Sequence, residues 1–258
     1  MEGCSEMQKI LVTGAAGKIG QDVTRFLDKQ GNYQLRLADI NLSALETFKD
    51  TNHEIIYLDV SDLAACQEFT KGIDIVIHLA GNPSPNADFY GSLLENHIKG
   101  TYNIFRAASD NNVSKVIVAS SAQTIEGYPL DYQPHAYSPT RPKNMYGVSK
   151  CFAEAVASYF AYEEGLQSLA IRIGAYDDYN PYGKPLTARD MSAYLSPEDF
   201  MDLLLKSMTA KNLPPFSILH GVSNNRFKRI DIEGTRKLVG YSPSSDAFVL
   251  SGIKFFDS

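Results

Sequence analysis

The chain has 258 residues, with 24 basic and 30 acidic side chains and a formal net charge of −6 at pH 7. At 44% hydrophobic and 21% charged it is globular in composition, neither disordered nor fibrous, and long enough to bury the core of one large α/β domain. The acidic balance argues against a nucleic-acid or anionic-membrane surface, because either calls for a basic face, whereas a pocket for a small anion needs only one or two local cations.

Read in chain order, "MEGCSEMQ" lacks the apolar stretch of a signal peptide. "KILVTGA" then predicts a buried strand, and "KIGQDVTRFLDKQG" an amphipathic helix closed by Gly31. "YQLRLADI", "HEIIYLDV", "IDIVIHLAG" and "KVIVASS" predict the second to fifth strands. Between them lie helical patterns at "SALETFKD", at "SDLAACQEFTKG" (capped by Ser61 or Asp62 and stopped at Gly72) and at residues 89–110. A Pro-rich loop, "YPLDYQPHAYSPTRP", leads to a helix from Met145 to about Glu164 and a sixth strand, "LQSLAIRIG".

After Gly174 the chain turns polar and Tyr-rich over residues 175–195, which predicts a long functional loop. A capped helix at "SPEDFMDLLLKSMTA", a short strand at "PFSILHG" and a last helix at "DIEGTRKLVG" follow. Regular alternation with apolar strands predicts a doubly wound parallel sheet covered on both faces. The expected organisation is a single domain, 1–258, with a Rossmann core over 9–175 and a small substrate-covering region over 176–258. No apolar run approaches a membrane span. Cys4, Cys66 and Cys151 have no metal-ligand spacing and cannot all pair, so a reduced, cytoplasmic protein without metal is expected. Cys151 reads as a packing residue.

Three features carry chemistry. "VTGAAGKIG" sets Gly14, Gly17 and Gly20 at the first strand-to-helix turn, where a backbone without Cβ atoms and a helix N-terminus receive a pyrophosphate, with Lys18 and Ile19 beside them. Asp39 ends the second strand 25 residues after Gly14, as a ribose-binding carboxylate would. It favours the 2′-hydroxyl of NAD over the 2′-phosphate of NADP, with Lys18 as the one cation able to offset that preference. Asp59 and Val60 end the third strand at the same edge; a turn cap is the competing role for Asp59. Finally, Tyr146 and Lys150 in "NMYGVSKCFAEA" share one helix face, either as an acid–base pair or as two ordinary neighbours.

"HLAG", "ENHIKGTYN", "ASS" and "YGVSK" follow the glycine loop in an order that resembles the extended short-chain dehydrogenase/reductase family, the NAD-dependent epimerases and dehydratases. The resemblance runs from Lys9 to about Ser244, and "TIEGYP", "YGVSKCFAE", "RIG" and "SPEDF" make it most similar to the NAD-dependent uronate dehydrogenases. It implies NAD as cofactor, Tyr146 as general base and Ser121 as hydrogen-bond partner of the reacting oxygen. Lys150 would lower the Tyr146 pKa and bind the nicotinamide ribose. Leu79, Ala80, Gly81 and Ile173 would line the cofactor, and Asn96 would brace the active-site backbone or a water.

For the substrate the resemblance implies Arg189 as a bidentate carboxylate or phosphate grip. A solvated loop arginine, or one paired to Asp190 or Glu198, is the competing role. Asn82, Ser84 and Gln123 would reach sugar hydroxyls. The sequence departs from the uronate enzymes after the serine, where Ala122 and Gln123 replace an asparagine and a histidine.

The expected activity is oxidation of C1 of a hexuronic acid to its lactone. Another aldose, a sugar phosphate, a nucleotide-sugar epimerase or dehydratase, and a non-catalytic NAD sensor are the alternatives. Helices 89–110 and 145–164 would suit either an intersubunit bundle, as implied for a homo-oligomer, or packing on the sheet.

Overall fold

The computed structural model describes residues 7–180 and 182–253, so Cys4 lies outside the described residues. β1 (Gln8–Thr13) passes through a glycine turn into α1 (Lys18–Gln30), which Gly31 closes at φ 68°, the left-handed conformation glycine tolerates. β2 (Tyr33–Asp39) follows. The "SALETFKD" segment is a 3₁₀-helix, Leu42–Phe48, rather than the expected α-helix: it is short and has no side-chain hydrogen bond at its N-cap. After β3 (Glu54–Tyr57) comes α2 (Leu63–Phe69), capped by Asp62, whose carboxylate accepts from the Ala65 N–H.

β4 (Ile75–His78) is wholly buried. The helical stretch expected over 89–110 divides into a π-helix, Phe89–Lys99, and α3 (Gly100–Asp110). The junction is tight, since a Cβ on Gly100 would come within 2.5 Å of the Val60 side chain. β5 (Lys115–Ser121) then leads to α4 (Met145–Glu163), capped by Asn144, and to β6 (Gln167–Ile173).

The polar stretch beyond Gly174 holds more regular structure than a loop. β7 (Ala175–Tyr176) pairs with β8 (Tyr194–Leu195), and α5 (Ala188–Ala193) lies between them. α6 (Pro197–Thr209) starts at the Ser196 cap, β9 (Phe216–Gly221) follows, and α7 (Glu233–Val239) is succeeded by α8 (Ala247–Leu250), one helix past the expected last.

Seven parallel strands form the main sheet in the order β3-β2-β1-β4-β5-β6-β9. The strand at "PFSILHG" therefore extends the sheet beside β6. Phe200, Leu203, Leu204 and Leu219 join Ile10, Ile77 and Ile171 in one apolar cluster, so the C-terminal residues also complete the core. Leu11, Val76, Phe105 and Phe160 belong to a second cluster. The chain runs outward from β1 to β3 and resumes at β4 on the other side of β1. Neighbouring connections there leave in opposite directions and open a crevice at the carboxyl ends of β1 and β4.

Gly20 shows how closely the first turn is packed. A Cβ there would lie 2.2 Å from the Gly14 carbonyl oxygen and 2.7 Å from the Ala15 Cα. Gly20→Ala is expected to destabilise the fold by about 1–3 kcal/mol through overpacking, read as a lower urea midpoint.

Candidate active site

The crevice is a cavity of about 760 Å³. One end is built on the glycine turn. Gly14 has φ +73° and passes so close to the segment after β4 that a Cβ would come 2.6 Å from the Ala80 nitrogen. Any side chain there would need a strained backbone and would push the two segments apart. Gly17, Lys18, Ile19 and Gly20 line the cavity beside it. Asp39, at the tip of β2, accepts hydrogen bonds from the Ala16 and Asn41 N–H groups at 3.0 and 2.9 Å, which aims its carboxylate along the cavity wall. Asp59 accepts from the Ser61 N–H at 2.9 Å and lines the wall with Val60.

These features fit an NAD molecule: a backbone cradle without Cβ atoms for the pyrophosphate, and a carboxylate for the ribose hydroxyls. The Lys18 ammonium is paired with Asp177 and lies 3.9 Å from Asp178, which draws it to the segment after β6 rather than to Asp39.

Toward the other end, Leu79, Ala80, Gly81, Asn82, Asn96, Ser121, Gln123, Tyr146, Lys150 and Ile173 line the cavity. α4 brings Tyr146 and Lys150 against β5: the Lys150 Nζ donates to the Ala119 carbonyl at 2.9 Å and lies 5.6 Å from the Tyr146 ring centre. The Ser121 hydroxyl accepts from the Gln123 N–H at 3.2 Å and is hydrogen-bonded to the Tyr146 phenol. Gln123 in turn accepts from the Asn144 side chain, the cap of α4, at 3.1 Å.

The expected lowering of the Tyr146 pKa is not what this arrangement gives. Burial raises the phenol, and the Ser121 hydrogen bond opposes that only in part. Lys150 is itself desolvated, which lowers its pKa to about 8. Its two imidazole neighbours give way further: burial and the Lys150 charge push His78 and His97 down to about 3, so both are neutral. His78 shares a 2.7 Å hydrogen bond with the Thr13 hydroxyl. His97 lies 2.9 Å from the Ser149 hydroxyl, which donates to the Tyr146 carbonyl. Its ring meets that of Tyr146 edge-on at 5.6 Å.

Three expected substrate contacts stand apart from the cavity lining: Ser84, Ala122 and Arg189. Ser84 is engaged in its own turn, its hydroxyl accepting from the Asn86 N–H. Ala122 is buried in the core. The Arg189 fork is taken by Glu126, with Nε to Oε1 at 3.0 Å and Nη2 to Oε2 at 2.8 Å, and Asp190 adds a contact at 3.4 Å. Its partners are therefore the expected Asp190 and, more tightly, Glu126, with Glu198 not among them.

Sequence reasoning missed several residues. Tyr176, Gly174, Ile40 and Asn41 line the cavity; the last two directly follow Asp39, a visible signal. Glu154 and Arg172 form a buried ion pair, Nε–Oε1 2.8 Å and Nη2–Oε2 2.9 Å, and the Ser120 hydroxyl donates to the same carboxylate at 2.6 Å. The signal was Glu154 continuing the four-residue spacing of Tyr146 and Lys150. Arg172 also faces His220 at 3.4 Å; that ring donates from Nδ1 to the Asp231 carbonyl, and its pKa is pushed down to about 4 by burial and by Arg172. Among the described residues no cluster of His, Cys, Asp and Glu is arranged to hold a metal, and no helix is long and apolar enough to cross a membrane.

A parallel sheet whose switch-point crevice carries a glycine turn, a strand-end aspartate and a Ser–Tyr–Lys set defines a dinucleotide-dependent enzyme. Residues 10–206 match the model of the NAD dependent epimerase/dehydratase family, and the chain belongs to that family, with NAD as its cofactor. It is 32% identical to a uronate dehydrogenase of Pseudomonas putida over 242 residues, covering 93% of this chain and 86% of the relative. It is 31% identical to an NAD-dependent glucose-6-phosphate dehydrogenase of Haloferax volcanii, covering 93% and 94%. Among solved structures, a glucuronic acid dehydrogenase from Chromohalobacter salexigens superimposes with a TM-score of 0.84 at 31% identity, over 96% of this chain and 88% of that one.

Removing the charge of one partner in the buried pair leaves the other unpaired in the core. Glu154→Gln is expected to cost about 3–5 kcal/mol of stability, measured by urea denaturation.

Proposed function

We propose that this protein is an NAD-dependent dehydrogenase that oxidises C1 of a cyclic hexuronic acid to the aldarolactone. The observation that carries the reading is Ser121, Tyr146 and Lys150 gathered at one end of the dinucleotide cavity, beside Ile173. Relatives named for sugar and sugar-acid dehydrogenation support it.

The C1–O–H proton passes to the Tyr146 phenolate oxygen while the Ser121 hydroxyl hydrogen-bonds the reacting oxygen. When bound, NAD supplies the hydride acceptor, so the sugar loses two electrons and the C1–O bond becomes a carbonyl. Lys150 stabilises the phenolate and holds the nicotinamide ribose hydroxyls, and Asn96 braces the wall between them. Asn82 and Gln123 meet sugar hydroxyls. The region after Gly174 covers the substrate side, and among its described residues Tyr176 reaches the cavity. The same reading makes the protein a cytoplasmic homo-oligomer, in keeping with free Cys66 and Cys151 and with exposed Tyr102, Tyr159 and Tyr162 on α3 and α4.

A second reading, a neutral aldose as substrate, is favoured by one observation: Glu126 occupies the Arg189 fork that would otherwise grip an acid.

NADH formation at 340 nm with NAD and glucuronate, galacturonate, glucose, galactose or glucose 6-phosphate tests the choice. Turnover of a uronate, reduced roughly 10²–10⁴-fold by Tyr146→Phe, is the expected outcome. Turnover of glucose or galactose alone would establish the second reading, and NAD binding without turnover would overturn both.

The pH dependence follows from the pair. A phenol held above its ordinary value is protonated at neutral pH and must lose its proton to act as base. Oxidation kcat/KM is therefore expected to rise by up to about tenfold per pH unit from pH ~6. It should level off where Lys150, at about 8, loses its charge. Steady-state rates across that range check it, and a flat profile would contradict the role of Tyr146.

A further inference from the structure

Among the described residues, four charged side chains border the cavity: Lys18, Asp39, Asp59 and Lys150. The two aspartates belong to the ends of β2 and β3, on the side of the switch point away from Tyr146. Lys150 is committed to the Ala119 carbonyl and the space beside Tyr146. Only Lys18 is left to meet an anion on a substrate.

Its position suits that task. Lys18 opens α1, after β1, yet its side chain crosses to the segment that follows β6. It pairs there with Asp177, and its Nζ lies 5.8 Å from the Tyr176 ring centre. Tyr176 borders the cavity and lies three residues past Ile173, so the ammonium sits on the β6 side, toward the Ser–Tyr–Lys end. The Lys18 and Asp177 side chains are 50% and 58% exposed, and an exposed ion pair is weak and exchangeable. Arg189 differs on both counts: its fork is held by Glu126, whose side chain is only 10% exposed, and it is not part of the cavity lining.

We infer that Lys18 is the residue that recognises the anionic group of the substrate, the carboxylate or phosphate taking the place of Asp177 on its ammonium. This rests on the sugar-dehydrogenase reading above and assigns to Lys18 the charge recognition that the resemblance gave to Arg189. Asp177 keeps the cation neutralised until an acidic sugar arrives, and so weakens acid binding by the strength of the pair it must surrender.

The test is calorimetric binding of glucuronate, glucose 6-phosphate and glucose to the protein saturated with NADH, together with the Kd for NADH itself. It compares wild type, Lys18→Met, Asp177→Asn and Arg189→Met. Lys18→Met is expected to weaken binding of whichever anionic sugar the wild type takes by about tenfold or more while changing glucose less than about twofold, and Asp177→Asn to tighten the anion a few-fold. The glucuronate and glucose 6-phosphate arms separate carboxylate from phosphate. Loss of NADH affinity in Lys18→Met with anion binding unchanged would overturn the assignment and make Lys18 a pyrophosphate contact. Loss of anion binding in Arg189→Met but not in Lys18→Met would overturn it in favour of Arg189. Glucose binding without either anion would overturn it while leaving a sugar dehydrogenase standing, whereas no binding of any sugar would overturn the dehydrogenase reading as well.

Discussion

Glu154 on α4 and Arg172 on β6 meet in the core through two parallel hydrogen bonds, with the Ser120 hydroxyl of β5 closing on the same carboxylate. A planar guanidinium and a carboxylate paired in this way admit one relative orientation, and both side chains are almost wholly buried, so neither can trade the contact for water. The consequence is positional. Glu154 stands one helical turn beyond Lys150 and two beyond Tyr146, so fixing it fixes the rotation of α4 over the sheet. Ser120 precedes Ser121, so the same carboxylate sets the tip of β5. A buried ion pair contributes little net stability compared with an apolar pair of the same volume; here it supplies registration between three elements.

The electrostatics of the cavity follow from that placement. Lys150 is carried into a desolvated position beside two buried imidazoles, and three positive charges cannot share that space. The histidines give theirs up, with pKa values near 3, and the lysine keeps a weakened hold on its own. Tyr146 is raised rather than lowered, so in the protein alone burial outweighs the Ser121 hydrogen bond. Strain of this electrostatic kind at a site, accepted in exchange for function, is a common reason that stability is not maximal there. Outside this buried group, charge is balanced by pairing: Lys18 with Asp177, and Arg189 with Glu126.

Local patterns read well because their causes are local. The glycine turn, the aspartate ending β2, the Asn144-capped helix and the apolar strands depend on nearest neighbours and on side-chain periodicity. Elements whose stability is supplied from elsewhere read less well. "SALETFKD" has a helical pattern but too short a run and no cap to hold an α-helix, and becomes a 3₁₀-helix. Residues 89–110 have one continuous pattern, yet the π-helical half over Phe89–Lys99 carries both Asn96 on the cavity wall and the buried His97. "PFSILHG" looks like part of an appendage and is instead the seventh strand, because its partner, β6, lies 48 residues before it at every register pair, as in Leu169 with Ser217.

The parallel sheet, the dinucleotide turn and the Tyr146–Lys150 pair are written in short local patterns, and Ser121 joins that pair through the family resemblance. Which charges are free to work depends on packing between distant segments. Glu126 lies 63 residues from Arg189, Asp177 lies 159 from Lys18, and Arg172 lies 18 from Glu154. Whether a cation faces a substrate or a partner depends on which carboxylate the fold brings within about 3 Å, and no local pattern encodes that distance.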